Sequence, residues 1–211
     1  MHKGPIVAVV LAGGLARRMN GEIKPLKELA GKPILSHIID RITSQVDQVV
    51  INVNQNEDLF VRYGLPITKD SIDGFVGPLG GILAGMDWVA RNVPETRYMI
   101  SVPGDGPFLP LDLVEGLLLP LRENKAQLSV AVSNGRTQPV VGAWDISLRE
   151  DLRTALLEEK LYKVDRWTSR YRIDEVDFSQ PDYDPFYNTN KIEDLAEAET
   201  LFMQKIKPRN R

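Results

Sequence analysis

Residues 6–19 read Ile6-Val7-Ala8-Val9-Val10-Leu11-Ala12-Gly13-Gly14-Leu15-Ala16-Arg17-Arg18-Met19. The first five are apolar, rich in β-branched side chains and free of polar alternation, the pattern of a strand covered on both faces. At the carboxyl end of that strand come two glycines and then two arginines, and Lys24 follows five residues after Met19. Glycine lets the backbone turn tightly and brings its N–H groups close to a ligand. A guanidinium presents a fixed fork of donors that suits phosphate oxygens. Buried strand, glycine turn and positive charge, in that order, are how an α/β protein builds a polyphosphate site. Taken alone, Gly13-Gly14 reads first as a structural turn. Two common nucleotide motifs do not fit: Gly31-Lys32 is followed by Pro33 rather than Ser or Thr, and the loop is not G-x-G-x-x-G.

The chain has 211 residues, of which 43% are hydrophobic, enough for one α/β domain with a sizeable core. Its formal net charge of −3 gives no overall basic field to attract nucleic acid, so any basic patch is local. With no cysteine there is neither a disulfide framework nor a thiolate metal site. No apolar stretch reaches the roughly 18–20 residues that span a bilayer. The apolar run after Lys3 is too short for a signal peptide and leads into Gly13-Gly14, so it reads as the first strand. The expectation is a cytoplasmic protein without a membrane or nucleic-acid partner.

Strands and helices alternate along the first part of the chain. Leu35, Ile38, Ile39 and Ile42 recur at helical spacing. Residues 49–54 form a second buried strand ending in asparagines, and residues 66–70 a third with Asp70 at its carboxyl end. Gly77-Pro78-Leu79-Gly80-Gly81 is a second glycine turn that opens a helix. Residues 98–102 are a fourth strand running into Pro103-Gly104-Asp105-Gly106-Pro107-Phe108, and residues 113–119 a helix stopped or kinked by Pro120. This alternation predicts a mainly parallel sheet with right-handed crossovers, whose ligand crevice lies beyond the carboxyl ends of its strands. The first glycine loop, Asn52, Asp70 and Asp105 would all fall on that rim.

The second half reads differently. Residues 128–132 and 139–144 are strands joined through Asn134-Gly135-Arg136, an antiparallel hairpin with an Asn-Gly turn. Residues 148–160 and 163–170 are helical, 172–178 a strand, and 193–206 a terminal helix. The expected organisation is one domain over 1–211, with a nucleotide-binding half at 1–125 and an acceptor-side half at 126–206.

Several residues could carry chemistry. Asp105, bracketed by glycines and prolines at a strand end, either caps its turn or offers a carboxylate to Mg2+, which takes one or two carboxylates together with phosphates and water. Arg18 and Lys24 either form a solvated basic face or stabilise charge building on a transferred phosphoryl group and a leaving pyrophosphate. Asn52 and Asp70 either make local turns or bond a nucleoside. Trp88, Trp144 and Trp167 read as packing, and His2 and His37 carry no signal.

Five stretches together resemble the molybdenum cofactor guanylyltransferases, within the nucleotidyltransferases. They are Leu11-Ala12-Gly13-Gly14 with Arg18-Met19 and Lys24-Pro25-Leu26; Asp70-Ser71 with Gly77-Pro78-Leu79-Gly80-Gly81-Ile82; Pro103-Gly104-Asp105-Gly106-Pro107-Phe108; Gln138-Pro139-Val140-Val141-Gly142-Ala143-Trp144; and Phe186-Tyr187-Asn188-Thr189-Asn190 with Glu193-Asp194-Leu195. The likeness runs from near residue 11 to near residue 195. It implies a Rossmann-like nucleotidyltransferase fold, a mainly parallel sheet flanked by helices with a small antiparallel hairpin extension. It implies GMP transfer from GTP to the phosphate of molybdopterin, with Mg2+ as cofactor and transient contacts to proteins that deliver and receive the cofactor. Carried over by position, Leu11, Ala12, Gly13, Gly14, Lys24, Asn52, Asp70, Gly77, Leu79 and Asp105 would hold GTP. Arg18, Lys24 and Asp105 would be catalytic, Asp105 would bind the metal, and Asn188 and Asn190 would face the pterin. Gly104 and Gly106 stand where the family commonly carries side chains beside the aspartate. Two other readings stay open: a nucleotidyltransferase using CTP or a sugar-phosphate acceptor, and a non-catalytic nucleotide-binding module.

Overall fold

Strand β1, Val7–Leu11, lies inside the sheet with a parallel neighbour on each side, so its residues are covered from both faces. Val7 and Val9 point to one face, Ala8 and Val10 to the other, and all four are fully buried. Each valine so buried contributes about 1.5–3 kcal/mol relative to exposure, which is why an unbroken apolar run is needed here. The computed structural model describes residues 4–13, 23–72, 74, 77–189 and 192–203.

After β1 the chain forms a small antiparallel pair, β2 (Glu28–Leu29) and β3 (Lys32–Pro33), and then α1 (Ile34–Thr43). There follow β4 (Gln48–Asn52), β5 (Ile67–Thr68), α2 (Pro78–Asn92), β6 (Tyr98–Pro103) and α3 (Leu113–Arg122). The second half holds β7 (Leu128–Ser133), β8 (Arg136–Asp145), α4 (Arg149–Leu157), α5 (Val164–Thr168), β9 (Ile173–Asp177) and α6 (Ile192–Leu201). The main sheet is seven-stranded in the order β5-β4-β1-β6-β8-β7-β9. Among the described strands of that sheet, only β8 runs antiparallel to its neighbours.

The two faces carry separate cores. One is built on Ala8, Val10, Ile51, Ile100 and Val102 under α1 and α3, the other on Val7, Val9, Val50 and Met99 under α2, α4 and α5. The Asn-Gly hairpin forms as expected, with Asn134 at φ 51° and Gly135 at φ 70°. It extends the main sheet itself: β8 inserts between β6 and β7. Pro139 is tolerated within β8 because the register with β7 shifts there, from Val130 opposite Gly142 to Ala131 opposite Gln138. The Ser101 hydroxyl donates to the Val140 carbonyl across this irregular stretch at 2.6 Å.

Several elements differ from the sequence reading, most of them by a few residues at an end: the third strand is only Ile67–Thr68, and the helix after β8 stops at Leu157. Helix α3 continues through Pro120 to Arg122, because Leu117, Leu118, Pro120 and Leu121 are all buried and a proline so near the end removes one backbone bond. The turn at residues 29–33 is a small sheet, turning at Ala30 (φ 50°) and Gly31 (φ 79°). His37 serves structure: its Nε2 lies 2.7 Å from the Leu29 carbonyl, and its ring meets Phe202 edge-on.

Trp144 and Trp167 are fully buried, with ring centroids 6.0 Å apart, and the Trp167 indole donates to Asp151 at 2.9 Å. The Tyr171 hydroxyl donates to the same carboxylate oxygen. Burial pushes the Asp151 carboxyl upward, but its two donors, Tyr171 and Trp167, together with the Arg170 charge outweigh that and hold it below the ordinary aspartate value. A folded-state pKa below the unfolded one contributes stability that is present above the unfolded value and lost as pH falls through the folded one. Asp151→Asn is therefore expected to lower Tm at pH 7 by about 2–4 °C, the response of a chain this size to about 1 kcal/mol. The gap to the parent should begin to narrow below the ordinary aspartate pKa of about 3.9 and close as pH falls through the lower folded-state value; an equal gap in thermal melts at pH 3 and pH 7 would contradict this account.

Candidate functional site

Parallel pairing lines up three strand ends. Leu11 stands opposite Asn52 of β4 and opposite Pro103 of β6. Beyond the strands the backbone contacts continue: Ala12 N–H donates to the Asn52 carbonyl at 2.9 Å, and Gly104 N–H to the Leu11 carbonyl at 3.0 Å. A Cβ on Gly104 would sit 3.0 Å from both Ala12 Cα and the Leu11 oxygen. That backbone approach explains the glycine before Asp105 and draws the aspartate loop against the first glycine loop.

Lys24 opens a single 3-10 turn, Lys24–Leu26, anchored by buried Pro25. Its Nζ lies 2.5 Å from Asp105 Oδ2, joining residues 81 positions apart, and the two side chains are 15% and 26% exposed. Partial exposure leaves the pair reachable by a ligand. The late motif arrives at the same loop. Thr189, almost fully buried, directs its N–H (3.4 Å) and hydroxyl (3.5 Å) to the Asp105 carbonyl. Asn188 Oδ1 lies 3.5 Å from the place a Cβ on Gly106 would take. The neighbouring Tyr187 hydroxyl donates to Glu197 of α6 at 2.8 Å, and burial together with Glu197 pushes its pKa up to about 12, so it stays a neutral donor.

A second corner forms around Asp70, two residues beyond β5. Its carboxylate accepts from Asn52 Nδ2 at 3.0 Å and from Asn54 Nδ2 at 2.9 Å, and its own N–H donates to Asn54 Oδ1 at 2.9 Å. Gly13 packs into this corner: a Cβ there would lie 3.2 Å from Val53 Cα and 3.3 Å from Asn52 Oδ1. So does Gly81 in the first turn of α2, whose Cβ would meet Asn52 Oδ1 at 2.6 Å. Gly77 precedes that helix at φ 68°.

The structure thus gathers Leu11, Ala12, Gly13, Asn52 and Asp70 at one strand end, and Lys24, Asp105 and Asn188 at the next. Leu79 lies in the first turn of α2, just after Gly77. Its side chain is fully buried against the sheet, which leaves its backbone to meet a ligand. Gly14, Arg18 and Asn190 lie outside the described residues. Sequence reasoning missed Asn54 and Thr189. Strand alternation puts residues 52 and 54 on the same side, which was a usable signal for Asn54; for Thr189 the signal was its place between Asn188 and Asn190 in the late motif.

The donor set suits a hard cation. Asp105 offers a partly exposed carboxylate, and among the described residues no group of three or more His, Cys, Asp or Glu could hold a metal by itself. One carboxylate completed by phosphate oxygens and water is a Mg2+-type arrangement, whereas structural zinc needs four protein ligands.

Gly81→Ala would drive a methyl group into Asn52 and break its bond to Asp70. We expect about tenfold weaker GTP binding by calorimetry, the loss of about one charged hydrogen bond; unchanged affinity would show that the corner does not meet the nucleotide.

Residues 8–174 match the family model described as MobA-like NTP transferase domain. A molybdenum cofactor guanylyltransferase from Rhodopseudomonas palustris (strain BisB5) is 47% identical over 197 residues, covering 93% of this chain and 94% of the relative. One from Bradyrhizobium sp. (strain ORS 278) is also 47% identical, over 196 residues, covering 93% and 92%. Among solved structures, molybdopterin-guanine dinucleotide biosynthesis protein A from Archaeoglobus fulgidus superposes with a TM-score of 0.74 at 21% identity, covering 93% of this chain and 98% of the other, a likeness of fold. The chain belongs to the MobA-like NTP transferase family.

Proposed function

We propose that this chain is a nucleotidyltransferase that transfers GMP from GTP to the terminal phosphate of molybdopterin, or of its molybdenum-bearing form, releasing pyrophosphate and forming the guanine dinucleotide cofactor. The observation that carries the reading is the Lys24–Asp105 pair, set at a parallel-sheet rim beside the Asn52–Asp70 corner. The 47%-identical relatives named for this activity support the choice of GTP and pterin.

An oxygen of the acceptor phosphate attacks the α-phosphorus of GTP, and the bond from that phosphorus to the bridging oxygen of the β-phosphate breaks. The acceptor oxygen is already ionised near neutral pH, so no side-chain nucleophile or base is required. The work left to the protein is positioning and charge stabilisation. The backbone at Leu11, Ala12, Gly13 and Gly14 takes the phosphates, joined by Lys24 and Arg18. Asn52, Asp70, Gly77 and the backbone of Leu79 take the nucleoside side. Asp105 would hold a divalent cation, proposed as Mg2+, which when bound offsets negative charge on the phosphates. Asn188 and Asn190 face the pterin. Residues 1–125 then form the nucleotide half and 126–206 the acceptor half of one unit spanning 1–211. Transient contacts with cofactor-delivering and cofactor-receiving proteins, and a cytoplasmic setting, belong to the same proposal. Among the described residues no helix is long and apolar enough to cross a membrane.

The test is pyrophosphate release on molybdopterin with GTP or CTP and a divalent cation. GTP should be the faster substrate; faster CTP turnover would overturn the base assignment. Asp105→Ala should cut cation-dependent turnover by at least about a hundredfold. Lys24→Ala should weaken GTP binding and turnover together, and normal GTP affinity in that variant would remove Lys24 from the phosphate site.

A further inference from the structure

Asp87 is a buried carboxylate, 8% exposed, in the middle of α2, and the reaction described above makes no use of it. A charge taken that far out of water is strongly destabilising unless it is paired and hydrogen-bonded. Its partners come from two other segments. The Ser71 hydroxyl donates to Oδ2 at 2.6 Å. From α4, Arg153 donates to Oδ1 at 2.5 Å, and Arg149 Nε lies 3.7 Å from the same oxygen. Arg153 is itself braced by Glu150 at 3.1 Å, and Arg91 Nε donates to the Asp87 backbone carbonyl at 3.1 Å.

Ser71 follows Asp70 directly, and both lie past the end of β5 in a segment without helix or strand. Side chains therefore have to hold this dipeptide. Asn52 and Asn54 hold Asp70 from the strand ends. Ser71 is held from the opposite direction, through α2 and onward to the arginines of α4. We infer that Asp87 is a positioning residue for the nucleoside corner: through Ser71 it sets where the Asp70 carboxylate points. This rests on the reading that Asp70 meets the nucleoside.

The geometry separates two duties. Arg153 and Arg149 compensate the buried charge and sustain the packing of α4 on α2. The two oxygens divide the work: Oδ1 carries the ion pairs and Oδ2 accepts from the serine, so loss of the hydroxyl weakens the satisfaction of Oδ2 but leaves the ion pairs on Oδ1. Removing the hydroxyl thus loosens the Asp70-Ser71 segment and leaves the ion cluster in place. A carboxylate misplaced by a fraction of an ångström loses its ligand bonds, and the loss falls on nucleotide binding rather than on the reacting phosphates.

The experiment is steady-state kinetics with purified protein, GTP and molybdopterin, on Ser71→Ala, Ser71→Thr, Asp87→Asn and Asp70→Ala, with thermal melts of each. Ser71→Ala should raise KM for GTP about five- to tenfold, leave kcat within about twofold and the pterin KM unchanged, and lower Tm by about 2–4 °C, which leaves the protein folded under assay conditions. Ser71→Thr, which restores the hydroxyl at an exposed position, should return KM to the parent value. Asp87→Asn should move KM in the same direction as Ser71→Ala; if it fails to fold, the two serine variants still decide, since they leave the Asp87–Arg153 pair intact. A normal GTP KM in Ser71→Ala beside a raised one in Asp70→Ala would overturn the positioning role and leave the nucleoside reading standing. A normal GTP KM in Asp70→Ala would remove that reading and the positioning role with it.

Discussion

Parallel pairing of β1 with β4 on one side and β6 on the other is the constraint on which everything functional in this chain depends. A parallel pair cannot be joined by a tight turn, so each connection leaves the sheet, packs a helix on one face and returns. Two buried faces follow, and with them the uninterrupted apolar composition of the central strands. All strand ends of one sense then lie together. Loops that are 40 to 90 residues apart in sequence become neighbours because Leu11 faces both Asn52 and Pro103.

Strand alignment brings the loops near each other; close backbone contact and charge lock them. Gly13 and Gly104 leave no room for side chains where the first loop meets its neighbours, and there the backbone takes over the joining. Between the resulting walls stand Lys24 and Asp105, a cation and an anion held together by the fold before any ligand arrives. In a partly exposed setting such a pair contributes little to stability. What the pair does is keep opposite charges at fixed positions on the rim, the kind of preorganised electrostatic environment that the proposed transfer of GMP calls for. The other carboxylate of the rim, Asp70, is held by neutral amides instead, which keeps its oxygens oriented without cancelling its charge.

Much of this could be read from the chain by local rules. The β1 run, the helical spacing of Leu35, Ile38 and Ile42, and the Asn-Gly turn each rest on short-range physics: alternation, periodicity and positive φ. Other features could not be read that way. Nothing within residues 136–145 says that this strand pairs with β6 as well as β7, because partner choice depends on which edge β6 leaves open. Pro120 stays helical because buried leucines on both sides outweigh one missing bond. Leu79 sits in a glycine-rich turn that looks ligand-facing, yet helix phase turns its side chain to the core.

The sequence alone determined the class of fold, the order of its elements and the residue types at the candidate site, since burial on two faces, helix periodicity and turn chemistry are written in neighbouring residues. Only the tertiary structure decided which groups touch: that Lys24 meets Asp105, that Asn54 joins Asn52 on Asp70, that Thr189 reaches the aspartate loop, and that Asp87 ties Ser71 to α4. Those contacts come from sheet register and helix packing, which are settled by the whole core at once and leave no trace in any single stretch of the chain.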